Sequence, residues 1–199
     1  MKIVRSLMAV VAAGALAAGA AVATATPASA LSYFDDGSFE YPTAPANAFT
    51  TLVDGQSIGP WKVTAGGVDL IGAGFWQAAE GGQSVDLNSG RAGAVSQTFT
   101  TTAGRRYTVT YALAANPEGG PAVKTGRVLV DGQNVQDFSF DSTGKTRAAM
   151  GYVKRQLTFV ATGASTSLGF ASTVGGAYGP VVDDVRVDSC CACSCTPAP

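Results

Sequence analysis

The chain contains no histidine. This removes the usual imidazole base for a Ser or Cys nucleophile and the commonest ligand of transition metals. Cysteine is missing from the body of the chain as well. All four, Cys190, Cys191, Cys193 and Cys195, crowd into the last ten residues. A disulfide scaffold is therefore excluded, and the fold must rest on a hydrophobic core, with or without an ion. Beyond residue 30 no apolar run is long enough to cross a bilayer as a helix. No stretch there carries the 3.6-residue periodicity of an amphipathic helix, and no internal repeat is visible. Charge is sparse too. With Lys2 and Arg5 set aside, 11 basic residues face 14 acidic ones, a formal net charge of −3. Such a chain is a poor partner for nucleic acid or an anionic membrane.

What is present begins with a leader. Lys2 and Arg5 precede the mostly apolar, Ala-rich run from Leu7 to Ala25, and Ala28-Ser29-Ala30 supplies the small residues of a cleavage site. Residues 1–30 therefore read as a secretory signal peptide, an N-terminal membrane anchor being the alternative. Residues 31–188 are long enough for one domain with a real core. Residues 189–199 form a Cys-rich tail too poor in apolar mass to fold alone.

Within the domain, short alternating runs are separated by Gly, Asn, Asp and Pro, the pattern of an all-β sandwich of about ten strands. Arg106–Ala115 is the clearest, with Tyr107, Val109 and Tyr111 on one face and Thr108, Thr110 and Ala112 on the other. Val95, Gln97 and Phe99 likewise share a face. Residues 127–130 and 135–140 pair across Asp131-Gly132. Residues 61–64 and 68–71 are expected to pair across Gly66-Gly67, and 152–161 with 165–171. Residues 37–40 read as the opening strand.

The closing strand, Pro180-Val181-Val182-Asp183-Asp184-Val185-Arg186-Val187, poses a chemical question. Asp183 shares the alternation of Val181, Val185 and Val187, so the pattern aims a carboxylate at the core. That is costly without a partner. The acidic opening Asp35-Asp36-Gly37-Ser38-Phe39-Glu40 is the natural candidate, and the first and last strands are expected side by side.

Several blocks occur in order: Asp36-Gly37-Ser38-Phe39-Glu40, Trp61-Lys62-Val63, Val68-Asp69-Leu70-Ile71, Ser84-Val85-Asp86-Leu87-Asn88, Asn116-Pro117-Glu118-Gly119-Gly120-Pro121 and Tyr178-Gly179-Pro180-Val181-Val182-Asp183-Asp184-Val185. Together they resemble the bacterial choice-of-anchor C proteins, relatives of the plant domain-of-unknown-function 642 family. The resemblance implies a galactose-binding-like jelly-roll β-sandwich, secretion, attachment to a cell surface or wall, contact with polysaccharide and no established catalysis. One departure is visible: that opening block usually begins with Asn, where this chain has Asp36. The resemblance also implies a structural Ca²⁺, with Glu40 and Asp183 as side-chain ligands and Ser38 as a carbonyl ligand. Asp184 and Asp36 are weaker candidates. The alternative is that Asp183 accepts backbone or hydroxyl hydrogen bonds, or pairs with an Arg.

For the ligand, sugar faces stack on aromatic rings while hydroxyls pair with planar polar side chains. Trp76, in the Gly-flanked Gly74-Phe75-Trp76-Gln77, is the expected exposed ring, and Trp61 reads as core. Asn116, Glu118 and Lys124 border one loop, Tyr178 precedes the closing strand, and Asp69 and Asp86 can line a polar surface. The tail cysteines suit covalent attachment or a disulfide-linked partner better than a tetrahedral metal cage. Two other readings stay open: a cross-linked structural matrix protein without glycan affinity, and a carboxylate-dependent hydrolase using Asp69, Asp86 and Glu118.

Overall fold

A computed structural model describes residues 33–189. The leader and the four tail cysteines lie outside the described residues. Twelve strands are present in chain order: β1 (Phe49–Val53), β2 (Ser57–Ile58), β3 (Trp61–Ala65), β4 (Gly67–Ile71), β5 (Ser84–Asp86), β6 (Ala94–Thr100), β7 (Arg106–Ala115), β8 (Val123–Val130), β9 (Gln133–Asp141), β10 (Val153–Val160), β11 (Ser165–Ser172) and β12 (Pro180–Ser189). They form two six-stranded antiparallel sheets, and no helix occurs among the described residues. Sheet I runs β1-β4-β5-β12-β7-β10 and sheet II runs β2-β3-β6-β11-β8-β9. The chain crosses repeatedly between the layers, giving the jelly-roll sandwich expected of the sequence.

The core follows from the alternation. Tyr107, Val109, Tyr111 and Leu113 of β7 point toward sheet II. Tyr111 meets Phe170 of β11 edge-on at 5.0 Å between ring centroids. Trp61 is fully buried, with Phe39 at 5.0 Å and Phe170 at 6.1 Å, and its Nε1 donates to Asp36 O. Each such large buried side chain contributes about 1.5–3 kcal/mol by leaving water.

Three expectations about pairing are corrected. β3 and β4 do not form a hairpin: β3 pairs with β2 and β6, whereas β4 pairs with β1 and β5. The Gly66-Gly67 step carries the chain from one sheet to the other. Similarly, β10 pairs with β7 while β11 lies between β6 and β8. The β8–β9 hairpin across Asp131-Gly132 forms as expected. Residues 37–40 make a turn and no strand, with Phe39 N donating to Asp36 O and positive φ at Asp36 and Phe39. The opening segment nevertheless reaches the closing strand. Val185 N donates to Gly37 O at 2.8 Å.

That contact depends on a bulge in β12. The register with β7 shifts between Asp183 and Arg186, and Asp184 sits at φ 46. Asp tolerates this left-handed geometry better than most residues. The bulge also breaks the simple alternation. Val182, in register with Leu113 and Val85, points inward. Val181 and Asp183 lie on the opposite face, turned away from sheet II and covered by loops.

Candidate ligand-binding cleft

Four loops meet over the outer face of sheet I. The register places Ile71 opposite Ser84, Pro180 opposite Ala115, and Val153 opposite Leu113. Segments 116–122, 142–152 and 173–179 therefore leave or enter the sheet at the same end, while segment 72–83 joins β4 to β5 at their other end and folds back over the outer face, where Gln77 N donates to Arg147 O. On the face turned away from the core, Thr51, Asp69, Asp86, Val181 and Ala114 form one row across four hydrogen-bonded steps.

The loops and this row enclose a cleft of about 310 Å³. That volume falls at the small end of ordinary ligand sites. Its apolar wall is Phe49, Ile71, Phe75 and Trp76, and its polar wall is Asp69, Asp86, Asn116, Glu118 and Arg147. Phe49 meets Phe75 edge-on at 5.6 Å, and Phe75 meets Trp76 at 5.4 Å. Tyr178 closes one side. Its ring packs over Gly119, where a Cβ would collide with it. Phe49 and Tyr178 are the exposed rings, at 47% and 39%.

Asp86 is the structural pivot of the polar wall. It is buried, and it accepts from Asn88 N at 2.9 Å, Gly179 N at 3.0 Å and Asn116 Nδ2 at 2.7 Å. Gly179 approaches so closely that a side chain there would run into Asp86 and Asn88. Burial pushes the Asp86 carboxyl up to about 7, against the pull of the three donors, and the charge of Asp69 adds to the rise. Asp69 faces Asp86 directly across β4 and β5. It is half-buried, accepts from Thr51 Oγ1 at 2.6 Å, and is likewise raised by burial. Asn116 is held at both ends, since its Oδ1 accepts from Glu118 N at 2.9 Å. Glu118 accepts from Arg147 Nε at 2.7 Å, and the Arg147 guanidinium lies 4.1 Å from the Phe75 centroid. Gln77 ties the rim together: Gln77 N donates to Arg147 O, and its Oε1 accepts from Met150 N.

Of the seven ligand-contact candidates, Asp69, Asp86, Asn116, Glu118, Tyr178 and Trp76 line this one cleft. Two expectations are corrected. Trp76 is not an exposed platform but 5% accessible, its Nε1 donating to Ser84 Oγ at 2.8 Å. The indole N–H needs an acceptor when buried, so Trp76 turns inward and Phe75 takes the half-exposed position. Lys124 does not line the cleft. It is fully buried and donates to the carbonyls of Gly119 and Pro121, bracing the loop that carries Asn116 and Glu118. The residues missed are Phe49, Phe75 and Arg147. Phe75 was signalled by its neighbour Trp76. Arg147 lies in a loop without any periodic signal.

The acidic group expected around an ion is arranged differently. Asp183 Oδ2 accepts from Ala79 N at 2.7 Å and Glu80 N at 3.1 Å, and Oδ1 accepts from Asp184 N. Glu40 Oε1 accepts from Gly82 N and Gln83 N. Asp184 is paired with Arg186 at 2.7 Å and Lys154 at 3.2 Å. Ser38 sits in the opening turn. The oxygens of Asp183 face N–H donors and those of Asp184 face cations, which favours the hydrogen-bonded alternative over a Ca²⁺ cage. Among the described residues no three acidic or thiol groups cluster as metal ligands. Burial pushes Asp183 up to about 7 in spite of its three amide donors.

The model of a protein family of unknown function, DUF642, matches residues 32–188. The chain belongs to the DUF642 family. Among curated relatives, halomucin of Haloquadratum walsbyi is 29% identical over 145 residues, covering 71% of this chain and 2% of halomucin. The DUF642 L-galactono-1,4-lactone-responsive gene 1 protein of Arabidopsis thaliana is 26% identical over 173 residues, covering 77% of this chain and 44% of the plant protein. This DUF642 chain thus spans less than half the length of either relative. Among solved structures, a family 35 carbohydrate-binding module from Clostridium thermocellum is similar at a TM-score of 0.48 and 17% identity, over 71% of this chain and 99% of that one. TmCBM61, solved with beta-1,4-galactotriose, is similar at 0.48 and 15% identity, over 79% and 98%. At these scores the likenesses bear on neither the ligand nor the site.

Proposed function

We propose that this DUF642 domain is a non-catalytic binding module that takes a sugar of an extracellular or cell-wall polysaccharide into the cleft. The observation that carries the reading is the pairing of two walls within one cavity. Exposed rings of Phe49 and Tyr178, with half-buried Phe75, offer apolar faces, and Asp69, Glu118 and Arg147 offer planar polar groups opposite them. A pyranose presents the matching combination: C–H faces that stack and hydroxyls that both donate and accept. The Ala-rich leader supports export to where such polymers are found. The finer kinship with choice-of-anchor C proteins, with its surface attachment, belongs to the same proposal.

A binding role is favoured over hydrolysis by the state of the acids. Glycoside cleavage needs two carboxyl groups free to act on the glycosidic oxygen and on a water or sugar carbon. Asp86, the cleft acid that burial pushes up to about 7, has its oxygens occupied by Asn88, Gly179 and Asn116.

The test is thermal unfolding of the full-length chain across a panel of soluble polysaccharides, since a ligand of the native state raises Tm by mass action. At least one glycan is expected to raise Tm, and Phe49→Ala with Tyr178→Ala is expected to abolish that rise. A panel without any shift, or a shift indifferent to both substitutions, contradicts the proposal.

A further inference from the structure

The polar wall is lopsided in a way that narrows the ligand. Asp69, Asp86 and Glu118 bring three carboxyl groups to the cleft, and Arg147 brings the one cation among its lining residues. That cation already has a carboxylate partner. Its Nε donates to Glu118 at 2.7 Å and its Cζ lies over the Phe75 ring. Asn116 is held in place by one bond at each end of its amide, its nitrogen donating to Asp86 and its oxygen accepting from Glu118 N. By contrast, Thr51 occupies one oxygen of Asp69 and Arg147 one oxygen of Glu118, while the other oxygen of each takes no hydrogen bond among the described residues. The groups left over for a ligand are thus chiefly acceptors that carry negative charge.

We infer that the cleft selects by charge: it takes a neutral sugar through hydroxyls that donate to Asp69 and Glu118, and it rejects uronates. This inference rests on the glycan reading above. Hydroxyls donating to a carboxylate make the stronger, charge-assisted kind of hydrogen bond. A uronate carboxylate has no proton to donate at neutral pH. It would stand beside Asp69 and Glu118 in a half-enclosed space where like charges repel strongly. The neighbouring guanidinium brings one positive charge against three carboxyl groups, and Glu118 already pairs with it. Glu118 therefore has two roles at the rim, accepting from ligand and masking Arg147.

The masking gives the inference a signature. Replacing Glu118 removes a negative charge and also releases Arg147, whose guanidinium is a natural partner for a carboxylate. Asp69 is half-buried and Glu118 is exposed, so neither substitution threatens the core.

The experiment is affinity electrophoresis of the full-length chain in gels containing neutral polymers (galactan, glucomannan, arabinoxylan) or uronates (polygalacturonate, alginate), each at low and high salt. The wild type is expected to be retarded by at least one neutral polymer and at least about tenfold less by every uronate. Asp69→Asn combined with Glu118→Gln is expected to bring uronate retardation to the level of the neutral polymer, and salt is expected to abolish that gain. Equal retardation by uronates in the wild type, or uronate retardation unchanged by the double substitution, overturns charge selection and leaves the glycan reading standing. The absence of retardation by any polymer in either set overturns both.

Discussion

Two groups of acids lie on the same face of sheet I, and they have opposite fates. Asp183, with Asp184 beside it, is sealed: the amides of Ala79, Glu80 and Asp184 and the cations Arg186 and Lys154 occupy their carboxylate oxygens, and exposed Glu40 holds the same loop through the amides of Gly82 and Gln83 on one oxygen. Asp69 and Glu118 border a cleft, and each keeps an oxygen without a hydrogen-bond partner among the described residues. Burial alone does not separate the two groups, because Asp86 and Asp183 are both buried and both pushed up to about 7. What separates them is whether donors already surround the oxygens. The sealed acids organise loops. The open ones can meet a ligand.

The largest expected effect comes from breaking the sealed group. Asp183→Ala leaves the amides of Ala79, Glu80 and Asp184 without their acceptor. It is expected to cost about 3 kcal/mol, or about 10 °C in Tm by calorimetry. Glycan affinity should fall with it, since the freed loop carries Phe75 and Trp76. In contrast, Phe49→Ala and Tyr178→Ala are expected to weaken glycan binding about tenfold each with little change in Tm, as both rings are largely exposed. If Asp183→Ala left Tm unchanged, the sealed group would not be structural.

The next effect is one of pH. Asp86 and Asp183 have folded-state values near 7, well above the value of about 3.9 expected of an unfolded Asp. The native state therefore holds protons that the unfolded chain has lost. The stability these two groups contribute is fully present below about pH 4 and is lost as pH rises through about 7. Asp184 and Asp141, both lowered, act the other way and weaken the fold as pH drops below about 4. Tm is expected to fall by several degrees between about pH 5 and pH 8, and Asp86→Asn should flatten that slope. A Tm that rises over this range would show that the two carboxyls are ionised in the native state well below neutrality.

The smallest effect is predicted for metal removal. Since backbone N–H groups already hold Asp183 and one oxygen of Glu40, a chelator is expected to leave Tm unchanged. A drop on chelation, restored by Ca²⁺, would sink the distinction drawn between the two acid groups.

Much of this was legible in the residues. The alternation of Tyr107, Val109 and Tyr111 announced β7 and its inward face, and Asp131-Gly132 announced the β8–β9 hairpin. Asp69, Asp86, Asn116, Glu118 and Tyr178 could be named from local context and do converge. Sheet partners were less legible, because period two fixes which side a residue faces and not which strand lies next to it. That is why the Gly66-Gly67 step read as a hairpin and is a crossing between layers. The bulge at Asp184 defeated the alternation of β12 and reversed the reading of Asp183. Lys124 read as a ligand contact bordering the loop; the carbonyls of Gly119 and Pro121 become its partners once the loop has folded back over it.

The most direct test uses a reporter already in the cleft. The chain has two tryptophans, Trp61 deep in the core and Trp76 in the cleft wall. Titration with the glycan that raises Tm should change the intrinsic fluorescence of the wild type. In Trp76→Phe that change should vanish, while the glycan-induced rise in Tm persists. A fluorescence change that survives Trp76→Phe would place the ligand elsewhere on the molecule and contradict the assignment of this cleft.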